Sequence, residues 1–121
     1  MPAPDLIERL FVFAVAVGKL VEDLPFNQIN KVYCNQIIRC SSSVYANFRA
    51  SQRAKSTADF IYKLKIVEEE CDETIGFLKL LMEFNPHETS RIKTLASEGE
   101  EILKIVVASI NTARTRLNKH R

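Results

Sequence analysis

The chain has no tryptophan, three glycines, four prolines and two histidines in 121 residues. So few turn-formers leave little room for many short strands joined by tight turns, and favour a few long helices. No glycine-rich phosphate loop occurs. The three cysteines, Cys34, Cys40 and Cys71, form no C-x-x-C pair. An odd number without ligand spacing to His87 or His120 argues against a disulfide scaffold and against zinc, and reads as three small core residues. The longest unbroken apolar run near the start, LFVFAVAV from Leu10 to Val17, is eight residues. A bilayer crossing needs about 20. With Glu8 and Arg9 directly before it, this run predicts neither a transmembrane helix nor a signal peptide, and the expected compartment is a reducing cytoplasm.

What is present is helical periodicity. The spacing predicts four helices, over about 5–24, 28–51, 57–84 and 86–118. Pro25 ends the first, because the residue before a proline is pushed out of the helical region. Ile29, Tyr33, Ile37, Val44 and Phe48 make the apolar stripe of the second. Ser56 and Asp59 open the third as a capping box. Its stripe is Phe60, Leu64, Val67, Cys71, Thr74, Leu78 and Met82. In the fourth, Asn85 is the expected cap, Pro86 the first helical residue and Glu88 the third. Its stripe runs through Ile92, Leu95, Ile102, Leu103, Val106, Ile110, Ala113 and Leu117. Short connections force successive helices to run antiparallel, so the expected fold is all-α, a single up-down-up-down antiparallel four-helix bundle.

Apolar surface is left over. Helix one is apolar almost all round between residues 10 and 17. Helix three has a second row, Tyr62, Ile66, Phe77, Leu80 and Phe84, on the side away from its core stripe. The alternative is a scatter of exposed hydrophobes; the sharper reading is a subunit interface, because a helix apolar all round must be covered.

Formal net charge is only +2, but it is sorted along the chain. Lys31, Arg39, Arg49, Arg53, Lys55, Lys63 and Lys65 face a single acid, Asp59. Five acids follow between Glu68 and Glu73. From Lys104 onward come Arg114, Arg116, Lys119 and Arg121 without an acid. In an up-down bundle the end of helix two, the following turn and the end of helix four share one end. Arg39, Arg49, Arg53, Lys55, Arg114, Arg116, Lys119 and Arg121 are therefore candidates for contact with RNA or DNA phosphates. The alternative is a solvated face of ordinary charge. No base-reading motif is present, so such contact would be non-specific and salt-dependent. A membrane-surface role is not expected, since basic and apolar residues do not form one amphipathic face. Catalysis finds little support. The di-metal bundle pattern needs E-x-x-H, which does not occur here, and no cofactor or metal is expected.

In SSSVYANFRA, residues 41–50, Ser41 is expected to bond the carbonyl one turn back. Asn47 is expected to bond across to another helix or a neighbouring subunit. Ser43, Ala46 and Ala50 form a small-residue strip suited to close approach. Ser43, Ala46 and Asn47 thus join Tyr62, Ile66, Phe77, Leu80 and Phe84 as assembly candidates.

Three stretches carry a resemblance: QIIRCSSSVYANFRAS (36–51), R-A-K-S-x-A-D-F-I (53–61) and KLKIVEEECDETIGFLKLLME (63–83). In these the chain resembles the four-helix bundle proteins encoded in intervening sequences of bacterial 23S ribosomal RNA genes. Ser43, Val44, Ala46 and Asn47 fall on that family's S-V-x-A-N core, and Arg49 on the basic position after it. Ser56, Asp59 and Phe60 fall on the S-x-x-D/E-F start of helix three, and Glu69 and Glu73 on its acidic positions. Tyr45 departs from the usual glycine or proline, and Phe77 from tryptophan. The resemblance implies a small helical bundle that forms homo-oligomers, with five-membered rings known among members and a largely unassigned biochemical role; the absence of catalytic motifs makes the expected oligomer non-catalytic. A related accessory protein of diversity-generating retroelements binds nucleic acid and a reverse transcriptase through a basic ring. That resemblance implies a nucleic-acid and protein-partner role for Arg39, Arg49, Arg53 and the C-terminal cations. The competing function is a purely structural or protein–protein interaction module.

Overall fold

The computed structural model describes residues 3–119. It contains α1 (Ala3–Asp23), α2 (Gln28–Ser51), α3 (Thr57–Phe84), a 3-10 turn (Pro86–Glu88) and α4 (Thr89–Lys119). Each helix packs on its neighbours in sequence, α1 on α2, α2 on α3 and α3 on α4, and α4 returns to α1. The expected up-down-up-down bundle is the fold observed. α1 starts earlier than the spacing suggested, and Pro4 lies inside its first turn, where a missing N–H costs nothing. α2 and α3 match the expected ranges.

The core runs the length of the bundle. Leu10, Val17 and Leu20 of α1 meet Ile37 and Val44 of α2, Leu64, Val67 and Leu78 of α3, and Ile92, Ile102 and Val106 of α4, all fully buried. Ile75 and Leu81 are also buried, outside the stripe expected for α3. A helix flanked by two neighbours buries a wider arc than one stripe. Ile29, expected in the core, is exposed, and the next residue, Asn30, is buried in its place. Gly99 lets α3 and α4 approach closely. A Cβ there would sit 2.9 Å from Cγ1 of Ile75 and 3.4 Å from Cζ of Phe13.

The caps show where polar groups are satisfied. Ser56 accepts from the Asp59 amide at 3.0 Å, as the capping box requires. The Asp59 carboxylate reaches one residue further back than expected, to the Lys55 amide at 3.1 Å. Asn27, not foreseen, caps α2 by accepting from the Asn30 amide at 2.9 Å. Asn85 does not cap α4 with its side chain. Its amide turns inward, donates to the Leu81 carbonyl at 2.8 Å, and forms a reciprocal amide pair with Asn30 (2.8 and 2.9 Å). Asn30 also donates to the Pro25 carbonyl at 3.0 Å. This buried pair ties the α1–α2 turn to the α3–α4 turn.

Candidate nucleic-acid interface

Ion pairs decide which cations remain available. Arg9 of α1 holds Glu98 of α4 through two bonds of 2.7 and 2.8 Å. Lys63 pairs with Asp59 and Lys65 with Glu68 on α3, at 2.9 and 2.8 Å. Lys79 lies 3.9 Å from Glu100. Arg91 bridges Asp23 at 2.8 Å and Glu88 at 3.1 Å, and Lys104 lies 3.8 Å from Glu101. Arg39 leans onto α3 and bonds Glu70 at 3.0 Å and Glu73 at 3.4 Å. The charge of Glu70, first, and bonds to both carboxylates push its guanidinium pKa up. Arg39 is thus held by its own chain, unlike the other candidate cations among the described residues.

Among the described residues, Arg49, Arg53, Lys55, Arg114, Arg116 and Lys119 form no ion pair, and all are exposed. They lie on the last two turns of α2, the α2–α3 turn and the last turns of α4, which are at one end of the bundle. Lys55 and Arg116 line the same hollow of about 350 Å³, floored by Ser51, Ala54, Phe60 and Ala113. That shared hollow joins the two basic zones that the sequence leaves 60 residues apart. Arg49 and Arg53 border a separate notch of about 350 Å³ over Ala46 and Ala50. Arg116 also borders a groove of about 620 Å³ between the start of α1 and α4, lined by Leu6, Ile105 and Ser109 among others. Asp5 and Glu8 of α1 sit at this end too, so the cations dominate on the α2–α3–α4 side. Arg121 lies outside the described residues.

The assembly candidates fall on the outside. Tyr62, Leu80 and Phe84 are exposed, and Ile66 and Phe77 are half-buried. Phe77 and Phe84 rest against Tyr33 with ring centroids 6.1 and 5.9 Å away. On α1, Phe11, Val12 and Val15 are exposed. Tyr45 is accommodated at the α1–α2 seam, edge-on to Phe11 at 5.5 Å, and Arg49 lies 5.8 Å above its ring. Among the described residues Asn47 makes no bond to another helix. Its amide donates to the Ser43 carbonyl at 3.0 Å and hydroxyl at 2.7 Å, one turn back. The Ser43 hydroxyl is close enough to capture it, which the angular position alone did not show. Ser41 is buried, and among the described residues its hydroxyl has no hydrogen-bond partner. The Ile37 carbonyl, one turn back, is approached at 3.6 Å by Sγ of Cys40 instead.

The three thiols are free and buried. Burial pushes Cys71 up to about 12, and raises Cys34 and Cys40. A thiol so disfavoured as thiolate is a poor nucleophile and a poor metal ligand. Among the described residues no group of His, Cys, Asp and Glu converges as a metal site, and no helix is long and apolar enough to cross a membrane.

Fold and surface together define a small all-helical bundle with one cationic end. The profile of the 23S rRNA-intervening sequence proteins matches residues 5–108, and the chain belongs to that family. A solved crystal structure, a protein of unknown function from the S23 ribosomal protein family of Bacteroides thetaiotaomicron, is similar at 31% identity. The similarity covers 92% of this chain and 99% of that one, with a TM-score of 0.83. No curated protein sequence gives a significant match.

Proposed function

We propose that this chain is a non-catalytic, self-associating bundle that contacts the phosphate backbone of structured RNA or DNA through its cationic end, without reading base sequence. The observation that supports this most is the sorting of ion pairs. Six cations without an ion pair among the described residues, Arg49, Arg53, Lys55, Arg114, Arg116 and Lys119, gather at this end, against three, Lys19, Lys31 and Lys93, at the opposite end. Such a surface binds by counterion release, and an assembled ring, of five copies by family resemblance, would multiply it. The buried thiols suit a reducing cytoplasm, where they stay reduced.

Fluorescence anisotropy with structured RNA and duplex DNA tests the proposal. With about four phosphate contacts per copy, affinity should fall roughly 100-fold between about 50 and 200 mM salt. The double variant Lys55→Gln/Arg116→Gln should weaken binding to all sequences alike. Absence of saturable binding at about 50 mM salt would sink the nucleic-acid role. It would leave the second reading, a protein–protein interaction module, which the exposed row Tyr62, Leu80 and Phe84 favours.

A further inference from the structure

We infer that copies of this chain meet head to tail, the outer face of α2 on one copy lying against the outer face of α3 on the next. This rests on the self-association proposed above and adds which surfaces meet.

The argument starts from charge left after intramolecular pairing. α2 contains no aspartate or glutamate. Of its three cations, Arg39 is held by Glu70 and Glu73, which leaves Lys31 and Arg49, both exposed. α3 shows the reverse. Lys63, Lys65 and Lys79 are each paired with a carboxylate, while Glu69, Asp72 and Glu83 are exposed and form no ion pair among the described residues. Each helix therefore presents uncompensated charge of one sign only, positive on α2 and negative on α3.

Both faces also carry apolar surface that the chain itself leaves wet. On α2 this is Val32, 55% exposed, with Ala46 beside the Arg49 notch. On α3 it is Tyr62, 65% exposed, and Leu80, 41%. Burying these side chains favours association, but does not by itself choose a partner. The charges choose. A two-fold contact centred on either helix alone sets that face against its own copy, so Lys31 and Arg49 would meet cations, or Glu69 and Glu83 would meet carboxylates; a two-fold contact spanning both helices would pair the charges but stop at two copies. A head-to-tail contact sets α2 cations against α3 carboxylates. α2 and α3 are neighbouring helices with different outward directions, so one copy can use both faces at once. Such a contact repeats, closing into a ring or running on as a filament.

Charge reversal on the full chain tests this by light scattering at low salt. One variant carries Lys31→Glu and Arg49→Glu; the other carries Glu69→Lys and Glu83→Lys. The wild type is expected above the mass of two copies of its 13.8 kDa chain, and a wild type that stops at two copies would overturn the head-to-tail contact. Each variant alone is expected to lose assembly, since its two faces then share one sign. Mixed in equal amounts the variants are expected to associate again, alternating so that a negative face always meets a positive one, and therefore in even-numbered or open assemblies rather than in a closed ring of five. The mixture also controls for folding, as misfolded chains would not rescue one another. A monomeric wild type would remove the self-association on which the inference rests. An assembled wild type whose mass neither variant changes would overturn the face assignment and leave self-association standing. Loss of assembly in only one of the two variants would show a two-fold contact and equally overturn it.

Discussion

Replacing Asn85 by alanine should cost about 3 kcal/mol of stability. Both Asn85 and Asn30 are almost wholly buried. Alanine at 85 removes the two bonds of the reciprocal amide pair and the bond to the Leu81 carbonyl. Asn30 Nδ2 keeps the Pro25 carbonyl, but Asn30 Oδ1 and the Leu81 carbonyl lose these side-chain donors. Neutral hydrogen bonds contribute about 1 kcal/mol each net, so the three bonds lost give the figure above. For a domain of this size, that should lower the melting temperature by roughly 12 °C. Thermal unfolding followed by far-UV circular dichroism reads it directly. The double variant Asn30→Ala/Asn85→Ala should cost less than the sum of the singles by about 1–2 kcal/mol, because the second change removes the atom the first left unsatisfied. Strict additivity, or a single-variant loss under about 1 kcal/mol, would refute the buried amide pair as the tie between the two turns.

Two glycines in helices should respond with opposite signs. Gly99→Ala places a Cβ within 2.9 Å of a branched carbon of Ile75 and should destabilise by about 1 kcal/mol net of propensity, whereas Gly76→Ala meets nothing within 4 Å and should stabilise by about 0.5–1 kcal/mol. Chemical denaturation midpoints of the two variants check this, and equal shifts would contradict the packing. The Asp59 carboxyl is held below its ordinary range, first by the Lys63 ammonium and then by the Lys55 amide. A depressed carboxyl adds stability that is complete above its unfolded pKa and is lost as pH falls through the lower folded value. Asp59→Asn should therefore flatten the acid limb of the stability profile below about pH 4, and an unchanged limb would refute the contribution.

The number of helices, their order and most of their limits were legible because periodicity and the Ser56–Asp59 box are local signals. Asn85 was misread for a physical reason. Asparagine followed by proline is a strong helix-start pattern, and only the folded arrangement brings Asn30, 55 residues away in sequence, to claim the same amide. Ile29 and Asn30 were exchanged for the same cause, since periodicity alone prefers to bury the isoleucine. Gly99 carries no pattern at all; its role depends on where Ile75 stands. For the candidate interface, the sequence placed Arg53, Lys55 and the α4 cations at one end, and the hollow shared by Lys55 and Arg116 agrees. It could not show that Arg39 is spoken for, because the i, i+3 and i, i+4 pairs visible in a sequence are within one helix, and Glu70 and Glu73 lie on another.

The seam between α1 and α4 has a consequence for how the bundle opens. The bond from Arg9 to Glu98 joins residues 89 apart, so forming it closes a loop spanning most of the chain. Closing a loop of that length costs more entropy than the turns between successive helices, though the cost rises only slowly with length. Beside the buried Leu10, Phe13 and Val17, the seam carries part-exposed ion pairs and the groove of about 620 Å³, and α1 packs on α4 less extensively than the other neighbouring helices pack on one another. Ion pairs of that exposure contribute little, typically under about 1 kcal/mol. Partial unfolding should thus begin by α1 swinging away from α4 while α2, α3 and α4 stay packed. In hydrogen exchange, the amides of α1 would lose their protection first, well before the global transition.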